Sequence, residues 1–332
     1  MRYTAVTHIP SIAIKQGVVP EGAQITIAIP TYKRAHLLRE TLESCLAQQT
    51  NCSFAIMVVD NNPERECETE QLLREYKAIP NLFYYKNTEN VGMTGNWNKL
   101  FELSQTNFVV MLHDDDLLYE DHIERINFIL KKNNYDINAL YPEAQLFYEN
   151  QPITVRPTKK TSILRLKPLD FQFGNNVNIA GALFRKKAVV MLDGFNDYFY
   201  PPFDYEFNIR MAATKNAFKL FSYPTVLYRI SINESIKITT ILKMIEKDKE
   251  IMRHLIKNYP IIYKYLFKFY FRAYDKNYIQ WNIATYNSTT NELKDYLSKK
   301  EKETTLFDDL IFKLLTIIKV RFLPLFRKQS IT

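Results

Sequence analysis

Four short apolar runs, each closing on a polar cluster, restrict the fold of this chain more than any other feature. QITIAIPTYKR ends its apolar part at Pro30, FAIMVVD ends at Asp60, NLFYYKN at Asn87, and NFVVML runs straight into His113. Their β-branched and aromatic content reads as buried strands. Between the first two, Leu37, Leu38, Thr41, Leu42, Cys45 and Leu46 recur with helical spacing. A second helix is predicted from about Glu66 to Lys77, and NWNKLFELSQ reads as a third. Strand and helix alternating in this way predict an α/β fold, a Rossmann-like, mostly parallel sheet with helices on both faces. Ligands of such sheets bind beyond the carboxyl ends of the strands, so Pro30 to Arg34, Asp60 to Asn62 and His113 to Asp116 should share one edge.

The remaining sequence bounds the class of protein. With 46% hydrophobic residues over 332, the chain can bury a substantial core. The net charge of +8 is unevenly placed: residues 231–332 hold 19 basic and 11 acidic side chains, and the rest is balanced. A boundary is therefore placed near residue 235, ahead of a mainly helical, basic, aromatic-rich region. Cys45, Cys52 and Cys67 show no CxxC spacing and no clustered histidines, which argues against a disulfide framework or a zinc site. No apolar run is long enough for a signal peptide or a membrane span, so the expected location is the cytoplasm. No nucleic-acid module accompanies the charge, and nucleic acid is not an expected partner.

The stretch FVVMLHDDDLLYE places three carboxylates directly after a buried strand. Adjacent like charges repel, and burying one without a partner is costly. An oxygen-rich cluster suits a hard cation, Mg²⁺ or Mn²⁺, shared with a substrate's phosphates. The competing reading is an acidic N-terminus of a helix starting near Leu118.

Taken in order, these motifs resemble the inverting, family-two glycosyltransferases of bacterial type, which have the GT-A fold and use nucleotide-sugar donors. The resemblance covers residues 24 to 230: IAIPTYKR, VVDNN, NVGMTGNWN, LHDDDLL, DGFND and FDYEFNIR stand in the family's order. It implies a GT-A domain over residues 1–235, with a donor half at about 24–118 and an acceptor half at about 119–235, followed by the helical region 236–332. It implies a donor-nucleotide site made of Pro30, Thr31, Tyr32, Arg34, Asp60, Asn61, Asn90, Gly92, Asn96 and Asp114. Asp115 becomes the metal ligand, for Mn²⁺ or Mg²⁺. Asp204 becomes the general base, with Glu206 two residues on as the alternative and a plain helix N-cap as the structural one. Asp116, Glu206, Arg210 and Arg229 become candidate contacts to acceptor or diphosphate. For Asp60 the structural alternative is an Asx turn at DNNP. Relatives often carry a metal-binding His where LYRISINES has Ser231.

The expected activity is thus transfer of a sugar, most readily from a UDP-sugar, to a saccharide, lipid-linked or protein-linked glycan, in building bacterial surface polysaccharide. A sugar nucleotidyltransferase shares the core and the metal, but would want a glycine-rich phosphate loop near the first strand, and the seven glycines do not cluster there. A non-catalytic peripheral or scaffold protein on the same fold is the third reading. In the basic region Ile311, Leu315, Ile318 and Phe322 form a stripe flanked by Lys313, Lys319 and Arg321. That pattern fits an amphipathic helix on the anionic inner face of the cell membrane, or one that covers the enzyme's own core or a homodimer interface.

Overall fold

The computed structural model describes residues 1–149, 151, 153, 161–230, 237–286, 290–317 and 328–330. The chain starts with a short helix α1 (Tyr3–Val6) and an edge strand β1 (Ser11–Lys15). Then strands and helices alternate: β2 (Ile25–Thr31), α2 (Ala35–Leu46), β3 (Phe54–Asp60), α3 (Glu68–Glu75), β4 (Leu82–Asn87), α4 (Gly92–Leu103) and β5 (Phe108–Met111). After the carboxylates come β6 (Leu117–Leu118), α5 (His122–Lys132), β7 (Ala139–Tyr141), β8 (Ala144–Tyr148), β9 (Ser162–Arg165), β10 (Ala182–Arg185) and α6 (Lys186–Met191). The domain closes with α7 (Phe203–Ala213), β11 (Ala217–Phe221) and β12 (Val226–Ile230). Four helices follow, α8 (Ile238–Leu255), α9 (Ile261–Tyr286), α10 (Asn291–Glu303) and α11 (Leu306–Ile317), and a short strand β13 (Lys328–Ser330).

The main sheet runs β1-β4-β3-β2-β5-β10-β7-β11-β9-β13. Its centre, β4-β3-β2-β5, is parallel, and β1, β10 and β9 run against the other seven strands. The parallel register sets Thr31 opposite Asp60 and Ala28 opposite Met111, so the expected polar clusters do fall at one edge. Alternation along each strand divides the core in two. Ile25, Ile27, Ile29, Ile56, Val58 and Val110 face α2, α3 and α5. Ala28, Met57, Val59, Val109 and Met111 face α4 and α7 and belong to the same cluster as α8 and α9.

Two expectations change here. The acidic triplet does not begin a helix: Leu117 and Leu118 form a short strand against Val226 and Leu227, and α5 starts only at His122. The ladder with β12 holds Leu117 and Leu118 extended, the Leu118 N–H donates to Ser44 Oγ at 3.1 Å, and no helix N-terminus is left for the carboxylates to cap. The stripe placed on the C-terminal helix lies partly outside the described residues, as Ile318, Lys319, Arg321 and Phe322 do. Its described members, Ile311 and Leu315, are buried in the core shared with α9. The boundary near residue 235 also lies outside the described residues. Phe173 stacks on Phe267 at 5.3 Å, and the Tyr270 hydroxyl donates to the Phe173 carbonyl, so α9 completes the wall of the sheet domain.

His122, fully buried at the start of α5, lies with Nδ1 3.0 Å from Thr225 Oγ1. It packs against Gly181, whose φ of +70° and lack of a Cβ are both required, since a Cβ would come within 2.4 Å of Val226 Cγ2. Burial pushes the His122 imidazole down to about 4. The unfolded chain therefore holds the extra proton between about pH 4 and 6.5, and stability rises with pH across that window. Urea unfolding should show a loss of about 2 kcal/mol between pH 7.5 and pH 5 from this residue. In His122→Phe that part of the acid limb should flatten; an unchanged limb would place the titration elsewhere.

Candidate active site

The acidic loop is braced by two arginines, Arg34 through its guanidinium and Arg229 through its backbone N–H and its Nε. Arg34, turned inward just after β2 by Lys33 in the left-handed region (φ 55°), forks across two of them: Nη1 reaches Asp114 Oδ1 at 2.9 Å and Nη2 reaches Asp115 Oδ2 at 2.7 Å. Thr31 Oγ1 donates to the other Asp114 oxygen at 2.8 Å. Burial still pushes the Asp114 carboxyl up to about 6, with Arg34 opposing and Asp115 adding to the shift. From the far side, strand β12 brings Arg229. Its backbone N–H donates to Asp116 Oδ1 at 2.9 Å and its Nε to the Asp115 carbonyl at 2.8 Å, while its remaining nitrogens pair with Glu40 and Glu149. Thr41 on α2 donates to the Asp116 carbonyl.

His113 completes the cluster. Its Nδ1 lies 2.9 Å from Asp116 Oδ2, and Nε2 is buried with no hydrogen-bond partner among the described residues. Burial would lower its pKa, but the bond to Asp116 and the three acidic charges outweigh that and raise it. One ligand atom each from His113, Asp115 and Asp116 lie within 4.8 Å of one another. This set can hold a divalent ion through two hard oxygens and one borderline ring nitrogen. Sequence reasoning singled out Asp115 alone as the ligand; the turn from Leu112 to Asp116 adds its neighbours.

Trp97 on α4 stacks against His113 at 5.2 Å and meets Phe203 edge-on at 4.7 Å. Because Phe203 opens α7, this contact sets the N-terminus of that helix beside the acidic loop. Asp204, next in the chain, accepts from Asn175 Nδ2 at 2.9 Å. Burial raises its carboxyl; the backbone N–H groups at the helix start and the His113 charge oppose this. The Tyr228 phenol is pushed up by burial, with Tyr286, Asp116, Asp115 and Asp204 adding to the shift.

The other expected donor residues take structural positions at the same edge. Asp60 is fully buried: Lys86 Nζ at 2.7 Å and the Tyr84 hydroxyl at 3.0 Å occupy one oxygen, and the Asn62 N–H occupies the other, forming the Asx turn. A base edge would have to compete with Lys86 for it. Asn61 bonds to Asn90, Val91 and Gly92, and Asn87 bridges Asn61 to Asn96, whose amide donates to the carbonyls of Thr31 and Val59. This amide network ties the strand ends to the start of α4, where Gly92 (φ +72°) makes the turn. Pro30 is buried, and Tyr32 is exposed at the mouth.

Three of the residues expected to contact acceptor or diphosphate make internal bonds. Arg210 donates from Nε and Nη2 to Glu206 and from Nη1 and Nη2 to the carbonyls of Leu192 and Gly194. Glu206 and Arg210 thus pin the turn at DGFND, with four of the five Arg210 N–H groups engaged. Arg229 is 3% exposed and braces the acidic loop from within. Ser231 lies outside the described residues. Trp97, His113 and Thr31's bond to Asp114 are the pieces that single-sequence reasoning passed over or underweighted; only their neighbourhood in space identifies them.

Parallel central strands with an acidic loop at their carboxyl edge are the arrangement of a GT-A glycosyltransferase, and solved structures agree. The chain is similar to Staphylococcus aureus TarS 1–349 in complex with UDP-GlcNAc, at 14% identity and TM-score 0.57 over 89% of this chain and 85% of that one. It is also similar to the mannosyltransferase PcManGT from Pyrobaculum calidifontis in complex with GDP-Man and Mn²⁺, at 13% identity and TM-score 0.54 over 96% and 92%. In sequence, residues 26–188 match the model of Glycosyl transferase family 2, so the chain carries a domain of that family. An uncharacterized glycosyltransferase of Methanocaldococcus jannaschii, MJ1057, is 23% identical over 62% of this chain and 70% of its own length. Six further curated relatives are matched over 21% to 39% of theirs.

Removing the Arg34 fork leaves two buried carboxylates facing each other. Arg34→Ala should cost roughly 2–4 kcal/mol in urea unfolding at pH 7.5. The loss should shrink at pH 5, where Asp114 takes up a proton; a cost independent of pH would assign it to lost packing.

Proposed function

We propose that this chain is an inverting glycosyltransferase that moves a sugar from a uridine diphosphate sugar to a hydroxyl of a saccharide or a lipid- or protein-linked glycan. The observation that carries the reading is the convergence at one sheet edge of Asp114 to Asp116, Arg34, His113 and the start of α7 with Asp204. The fold and the family domain support it. Among the surrounding proteins, TarS binds UDP-GlcNAc and PcManGT binds GDP-Man with Mn²⁺.

In this mechanism Asp204 takes the proton from the acceptor hydroxyl as its oxygen bonds to the anomeric carbon, and the bond from that carbon to the diphosphate breaks on the opposite side. A carboxyl raised by burial, yet held by Asn175, suits a base at neutral pH. Thr31 and Arg34 orient Asp114 toward the ribose side of the donor. Arg34 lies 34% exposed beside Asp114 and Asp115 and supplies positive charge toward the diphosphate. His113, Asp115 and Asp116 would hold Mn²⁺ or Mg²⁺, and when bound the ion stabilises charge on the leaving diphosphate as a Lewis acid. The amide network of Asn61, Asn90 and Asn96, with Gly92, fixes the floor under the nucleotide. We place the activity in bacterial surface glycan synthesis, with the protein on the cytoplasmic side.

Thermal melts with UDP-, GDP- and dTDP-sugars, each with and without Mn²⁺, test the donor site. UDP-sugar with Mn²⁺ should raise Tm by several degrees. Asp115→Asn should remove that shift while leaving the ligand-free Tm equal or higher, because it relieves repulsion. If no nucleotide stabilises the wild type, the non-catalytic reading replaces this one. Asp204→Asn should keep the donor shift and lose transfer by roughly 10²–10⁴; retained turnover would remove Asp204 as the base.

A further inference from the structure

The C-terminal helices are amphipathic in two directions, and the outer one has no use in the reading above. Inward, Phe267, Tyr270, Tyr274, Ile311 and Leu315 complete the core. Outward, α11 carries a second apolar stripe that the sequence pattern did not single out: Leu306, Leu310, Leu314 and Ile317, each about one helical turn from the next, are 90%, 60%, 50% and 45% exposed. Phe307 joins this stripe to α9 by an edge-on contact with Phe269 at 4.9 Å. On the exposed face of α9, Ile261 and Tyr265 stand among Lys264, Lys268 and Arg272, which follow at i, i+4 and i+8.

Beside that ridge, between α9 and the end of α8, lies a pocket of about 570 Å³. Arg253, Lys257, Lys264, Lys268 and Arg272 surround it over a floor of Ile256 and Phe271, and no acidic residue lines it. Like charges one turn apart weaken a helix, so this concentration attracts an anion, and Arg272 at its edge already lies 3.8 Å from Asp308. Arg253 lies over the Phe271 ring at 5.1 Å, which keeps its guanidinium at the rim. Five cations next to an exposed leucine stripe form a face that is apolar at its outer edge and cationic behind it.

We propose that this face seats the protein on an anionic phospholipid bilayer. The α11 stripe enters the acyl boundary, and the pocket between α8 and α9 receives a lipid phosphate. Charge selects this occupant: in a two-fold dimer across the same face the two cationic clusters would be brought toward each other, whereas a bilayer carrying phosphatidylglycerol supplies the missing anions. No helix among the described residues is long and apolar enough to cross a membrane, so the contact is peripheral. The inference holds whether or not the donor chemistry above is right.

Co-sedimentation of the full chain with vesicles tests it. The protein should pellet with vesicles of phosphatidylcholine mixed with phosphatidylglycerol, be released from them in high salt, and stay in the supernatant with vesicles of pure phosphatidylcholine. Lys264→Glu with Lys268→Glu, and separately Leu310→Glu with Leu314→Glu, should each weaken binding by about tenfold or more. All four positions are exposed, and an unchanged Tm shows that each variant folds. No binding to either vesicle overturns the proposal. So does loss with the lysine pair alone combined with equal binding of soluble glycerol phosphate, which would make the pocket a site for free phosphate. Concentration-dependent dimerisation abolished by the leucine pair, without vesicle binding, would assign the face to a second copy.

Discussion

Three carboxylates buried side by side at the end of a central strand are tolerable because two arginines brace them from opposite sides, Arg34 through its guanidinium and Arg229 through its backbone N–H and its bond to the Asp115 carbonyl. Arg34 comes from the loop after β2 and Arg229 from β12, separated by nearly two hundred positions in sequence. A charged group taken from water costs several kcal/mol unless its partner is positioned for it. The acidic loop can therefore form only if the first strand, the short β6 ladder and the last strand of the domain are all in register. This makes the carboxyl edge a checkpoint of the whole domain: a slip in β12 would withdraw Arg229 and leave Asp116 without its N–H donor.

The same bracing separates residues that support the loop from those left open toward solvent. Arg229, at 3% exposure, is committed beneath the loop, whereas Arg34 lies at its outer side with a third of its side chain accessible. Asp116 is tied from two directions, by Arg229 and His113. Asp115 holds a single side-chain partner, Arg34, and that partner is one an incoming cation could displace. Trp97 carries the arrangement to α7, since one ring packs against both His113 and Phe203. A strand-end acid cluster and a helix-start carboxylate are thereby set facing each other by an aromatic side chain that itself does no chemistry.

Much of this was legible in the sequence because it depends on local periodicity. The strands at Ile25, Phe54, Leu82 and Phe108 were readable from uninterrupted apolar runs, and their polar ends from the turn residues that follow. What was not legible depends on distant partners. DDDLL looks like a helix start until Val226 and Leu227 are seen to take Leu117 and Leu118 into a ladder. Asp60 resembles a base-binding carboxylate, and Lys86 on the neighbouring strand, which turns it into half of a buried ion pair, carries no signal of that role. Glu206 and Arg210 read as ligand contacts because they follow Asp204, but their i, i+4 spacing on one helix already provides a mutual fork. The edge strand Ser11–Lys15 is short, half-exposed and preceded by no turn signature, so only its pairing with β4 reveals it.

The C-terminal region shows how one pattern can satisfy two demands. A helix with apolar residues on a single stripe chooses between the core and an external surface, but α11 has two stripes, and burying Ile311 and Leu315 leaves Leu306, Leu310 and Leu314 facing out. Isolated exposed leucines need no explanation, whereas a row of them beside a pocket lined by five cations does. The basic excess is confined to residues 231–332 while the catalytic domain is balanced. If the excess charge served donor binding it would lie around the acidic edge. Its position on the outer face of helices that close the domain's own core argues instead that the protein is oriented by these helices, with the site held rigidly behind them.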